Sequence, residues 1–90
     1  MRAATTKFQN IAGELARLAE LRETLVSNAF EALELRHPQL ASEVREFVGS
    51  RQRAAHWMCA PQRAAGGKIP YDLLAEGDED SLWDLLEGVA

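Results

Sequence analysis

Apolar residues recur along the first third of the chain at alternating three- and four-residue steps: Phe8, Ile11, Leu15, Leu18, Leu25 and Ala29, with Arg22 interrupting. Residues three and four apart share one face of a helix, so this spacing predicts an amphipathic α-helix. Ala12, Ala19, Val26, Phe30 and Leu33 widen the stripe, which can be followed to Leu35. Thr6 followed by Gln9 has the form of a capping box and marks the expected start. A helix of about 30 residues is roughly 45 Å long, more than the rest of the chain can cover. Two outcomes fit. The helix pairs with a second copy through Ile11, Leu15, Leu18 and Leu25, or it breaks at Ser27-Asn28, where Asn28 and Glu31 offer a new cap. The continuous helix is the preferred reading.

His37-Pro38 ends this segment, because proline disfavours helical geometry at the preceding residue and suits the first position of a new helix. Leu40, Ala41, Val44, Phe47 and Val48 then form a helical apolar face, closed by Gly49. Ser50 caps a further helix carrying Ala54, Trp57 and Met58, and Pro61 limits it. Gly66 and Gly67 lie in a loop, Pro70 starts a short helix, and Gly77 stops it. Asp78 caps the last helix, with Glu79 and Asp80 in its first turn and Leu82, Leu85, Leu86 and Val89 as its inward stripe. β-branched residues never alternate as a strand requires. The expected fold is all-α: a long N-terminal amphipathic helix followed by a compact bundle of short helices. Residues 1–49 form the helical, dimerising region and residues 50–90 a second functional segment.

Composition adds the limits. Ninety residues with a single cysteine, Cys59, admit no internal disulfide and suit a reducing cytoplasm. The opening Met1-Arg2-Ala3-Ala4-Thr5-Thr6-Lys7 lacks the apolar stretch of a secretory signal, and no apolar run approaches the roughly 20 residues of a membrane span. The net charge of −4 is unevenly spread. Arg51, Arg53, Arg63 and Lys68 make residues 50–70 basic, and seven acids make residues 71–90 acidic. An acidic chain is a poor prior for nucleic-acid binding, since phosphate neutralisation supplies most non-specific affinity. The simpler expectation is that these stretches face each other or face water.

No convergent catalytic set stands out. His56 and Cys59 are three apart on one helix, which suggests a thiolate pair or half a metal site. A half-buried thiol beside a surface imidazole is the better account, because a structural zinc needs four ligands. Gly67-Lys68 fails as a phosphate loop: position 62 is Gln, position 69 is Ile, and no strand precedes. The lysine reads as an exposed loop charge. The C-terminal acids lack the ligand spacing of a calcium loop. Neither metal nor cofactor is expected. Trp57 reads as core, and Trp83 as either core or interface anchor.

The ordered set Trp57-Met58-Cys59-Ala60-Pro61-Gln62, Gly67-Lys68-Ile69-Pro70-Tyr71-Asp72-Leu73-Leu74, Gly77, Leu82, Leu86 and Glu87-Gly88-Val89 resembles the toxin-binding domain of Xre/MbcA/ParS-type antitoxins. Met58 stands where that family usually has Leu, and Ala65 where it has a larger apolar residue. The resemblance implies an all-helical, non-enzymatic domain that binds a RES-type toxin, which consumes NAD or ADP-ribosylates a target. It implies that the terminal helix and tail occlude the toxin's active site. Trp57, Pro61, Gly67, Pro70, Leu74 and Gly77 would be scaffold. Trp83, Leu86, Glu87, Gly88, Val89 and Ala90 would contact toxin. Many members also carry a helix-turn-helix, and residues 1–49 show none, so a homodimer is expected there rather than a DNA reader. The alternatives are a DNA-binding autoregulator using Arg51, Arg53, Arg63 and Lys68, and a stand-alone helical interaction module.

Overall fold

Leu25 and Val26 are neighbours in sequence, yet Leu25 is 68% exposed and Val26 only 4%. That boundary divides the first helix into an arm and a packed segment. In the computed structural model, which describes the backbone of residues 2–88 and the side chains of residues 8–88, this helix, α1, runs unbroken over Arg2–Arg36. It starts before Thr6, so the expected capping box lies inside the helix. Ala3 and Ala4, the strongest helix formers, carry the pattern upstream. Asn28 and Glu31 likewise lie within it and cap nothing.

Four shorter helices follow: α2 over Pro38–Val48, α3 over Arg51–Trp57, α4 over Pro70–Ala75 and α5 over Glu79–Glu87, with a 3-10 turn at Arg63–Ala65. The expected all-α architecture is observed, with no strand among the described residues. Pro38 occupies the first turn of α2, where its missing N–H leaves no gap in the hydrogen-bond ladder. Ser50 caps α3 by accepting the Arg53 N–H at 3.1 Å.

One core joins all five helices. Val26, Phe30 and Leu33 of α1 meet Leu40, Ala41 and Val44 of α2, Ala54 and Ala55 of α3, Met58, Leu73 of α4 and Leu82 of α5. Phe30, Val44, Ala54, Met58 and Leu82 have no accessible surface. Residues on both sides of position 49 therefore share a single core. Leu35, where the stripe was expected to end, points away and is 80% exposed. The packed stripe stops at Leu33, because Leu35 is two residues on and falls on the opposite side of the helix. Phe47 is also more exposed than its place on the α2 face suggests, and meets Trp57 edge-on with ring centroids 5.7 Å apart.

Polar links clamp α1 to the short helices. Arg51 at the start of α3 donates from Nη2 to Glu34 Oε1 at 2.8 Å and from Nε to both carboxylate oxygens at 3.2 Å. Its guanidinium also lies 5.4 Å from the Phe30 ring centroid. His56 of α3 meets Glu23 of α1 at 3.1 Å. His37, at the α1–α2 junction, approaches Glu79 of α5 at 3.5 Å.

Two predictions follow from this packing. Phe30→Ala empties the centre of the core and should cost about 3–5 kcal/mol, read by chemical denaturation. The hydrogen bond from Arg51 holds the Glu34 carboxyl below its usual 4.5 despite partial burial. Its ordinary value returns on unfolding, so the link contributes in full above pH 4.5 and is lost as pH falls through the lowered folded value. The stability gap between wild type and Glu34→Gln should accordingly narrow on acidification. A gap independent of pH would contradict the assignment.

Candidate functional site

The C-terminal helix owes its position to the turn before α4. Gln62 and Lys68 close this turn: the Gln62 N–H donates to Lys68 O and the Gly67 N–H to Gln62 O, both at 2.9 Å. Gly66 and Gly67 have φ of 69° and 89°, a left-handed pair that side-chain-bearing residues adopt only at a cost. The Tyr71 N–H then donates to Met58 O at 3.3 Å, joining α4 to the end of α3. Asp72 Oδ2 accepts the Ile69 N–H at 3.2 Å, and Pro70 is buried in the first turn of α4. Lys68 is an exposed loop charge, as expected, and its Nζ also reaches both Glu76 oxygens, at 2.8 and 3.0 Å.

On α5, Leu82 is the core anchor and Leu85 and Leu86 pack partly against it. Trp83 is half-buried, and its Nε1 donates to Glu79 Oε2 at 3.2 Å. This fixes the indole while leaving part of it at the surface. Asp78 caps the helix by accepting from Ser81 N at 3.2 Å and Ser81 Oγ at 2.7 Å. Those bonds hold its carboxyl below the ordinary range. The acid run thus divides in two. Asp78 and Glu79 are engaged within the fold, whereas Asp84 and Glu87 face outward. Gly88 ends the helix in the left-handed region, with φ of 74°. Val89 and Ala90, expected to contact a partner, lie outside the described residues.

The expected dimerisation residues fall together on the arm of α1. Ile11, Leu15, Leu18 and Leu25 are 51–68% exposed, with Phe8 and Leu21 beside them. Leu21 was absent from the sequence reading, although it borders the stripe. Val26, Phe30 and Leu33 widen that stripe toward the C-terminal end of α1, where they are buried in the core while Leu25 beside them is exposed.

Other candidate chemistry is accounted for locally. His56 is engaged by Glu23, and burial raises the Cys59 thiol, which makes it a poorer nucleophile. Trp57 is half-buried rather than fully enclosed. Of the four basic residues weighed as a nucleic-acid surface, Arg51 and Lys68 are bound to carboxylates. Among the described residues no three His, Cys, Asp or Glu side chains gather as a metal site, and no helix is long and apolar enough to cross a membrane. No protein-family model, curated protein or solved structure matches the chain.

Tyr71 Oη is buried without a hydrogen-bond partner, and burial pushes its ionisation up to about 12. Tyr71→Phe should therefore leave stability unchanged or raise it by up to about 1 kcal/mol. A clear loss in thermal unfolding would show that the hydroxyl is satisfied in solution.

Proposed function

We propose that this protein is an antitoxin-like, non-enzymatic binding module that neutralises a RES-type toxin in the cytoplasm. In this reading α5 and the residues after it dock on the toxin and occlude its nucleotide cleft. The observation that carries it is Trp83, half-exposed and held in one orientation by Glu79, with Leu86 one turn further on. A rigid aromatic at the surface is the usual anchor of a protein interface. The outward Asp84 and Glu87 would complement a basic nucleotide-binding surface and speed encounter.

The resemblance to Xre/MbcA/ParS-type antitoxins supports the same assignment. Its scaffold positions do local work consistent with that role: Gly67 in the closed turn, Pro70 at the start of α4, Leu74 against the core, and Gly77 before the α5 cap. Pro61 follows the turn that ends α3, and Trp57 packs partly on the core.

Removal of the residues after Leu86 leaves Leu82 and the core untouched. The truncated protein should keep its helical circular dichroism yet fail to protect cells from a co-expressed toxin, and should lose toxin binding in calorimetry. Full protection by the truncated chain would sink the occlusion mechanism.

A further inference from the structure

The arm of α1 presents Phe8, Ile11, Leu15, Leu18, Leu21 and Leu25, each 51–69% exposed. A large aromatic carries roughly 150–250 Å² and a leucine nearly as much. The six together thus display on the order of 700 Å², close to the ~800 Å² per partner of a stable interface and above the ~300–600 Å² patch of an ordinary monomer. The short helices cannot supply the cover, since they already engage α1 at its other end, around Val26, Phe30 and Leu33.

We propose that the occupant is a second copy of the same arm, running antiparallel. Two observations select it. The stripe is self-complementary when reversed: Phe8 falls against Leu25 of the second copy, Leu15 against Leu18, and Ile11 against Arg22, with every pair repeated by symmetry. Each layer then joins the two alternating seam positions of a coiled coil. The second observation is the arginine that interrupts the stripe. A parallel pair in register would press Arg22 against its own copy inside the seam, burying two like charges. Reversal sets each Arg22 against Ile11 and separates the two guanidinium-bearing positions by about 11 residues, or roughly 16 Å along the helix. Arg22 can also lean toward its own body, where its charge already acts on Cys59.

The reversed pair places the two bodies toward opposite ends of a rod, so both copies of α5 stay accessible. The pairing goes beyond the toxin-binding reading and does not depend on it, because dimer formation is measured without any toxin.

Light scattering after gel filtration should give twice the 10.0 kDa chain mass for the wild type, and the single mass for Leu18→Glu. That substitution lies outside the core, so near-ultraviolet signals from Trp57 and Trp83 should persist. Orientation is read in a Cys59→Ser background under mild oxidation. Arg22→Cys alone should form no disulfide-linked dimer, because the two positions lie beyond disulfide reach. Arg22→Cys mixed with Ile11→Cys should give the cross-linked heterodimer, identified by mass. A wild-type monomer at micromolar concentration overturns the pairing, and self-linking of Arg22→Cys overturns the antiparallel register.

Discussion

A 35-residue helix and the short helices packed on it differ greatly in reach, and most of this architecture follows from that mismatch. The molecule extends 55 Å along its longest axis but only 27 and 24 Å across the others. The short helices therefore enclose one end of α1 and leave the other in water. Isolated helices are marginal without tertiary packing, so an arm with six large apolar side chains exposed has a strong reason to acquire cover. Phe30 anchors the enclosed end: it has no accessible surface, and Arg51 lies over its ring while binding Glu34 of the same helix. The two ends of α1 thus differ: one holds the body, and the other is the face we propose to pair with a second copy.

The body itself is small, and its last helix is positioned by backbone turns as much as by apolar contact. Two left-handed glycines, a buried proline and the carboxylate cap at Asp78 set where α5 begins. Leu82 then seals it onto the core, and Trp83 is left at the edge with its indole fixed by Glu79. This arrangement suits a docking element: a rigid aromatic loses little conformational freedom on binding.

Much of this was legible in the residues. Apolar spacing together with proline, glycine and cap signals located the four α-helices of the body, but not the 3-10 turn at Arg63–Ala65. Pro38, Ser50, Pro70 and Asp78 marked helix starts that the structure reproduces. The continuity of α1 was visible too, but its start was not, because Ala3 and Ala4 favour helix without announcing a boundary. What remained hidden was the division of the apolar surface of α1. Leu25 and Val26 look equivalent in a hydropathy pattern, and only the packing of α2 and α3 tells them apart. The partners of Lys68 and His56 were hidden for a similar reason. Glu76 and Glu23 come close only through the turn before α4 and through helix packing.

Hydrogen exchange along α1, followed as a function of protein concentration, tests the two-ended account most directly. Amides from residue 26 to residue 36 should be protected at every concentration, since the body covers them within one chain. Those from residue 8 to residue 22 should become protected as concentration rises, because their cover comes from a second copy. Exchange in the arm that does not depend on concentration would contradict the account.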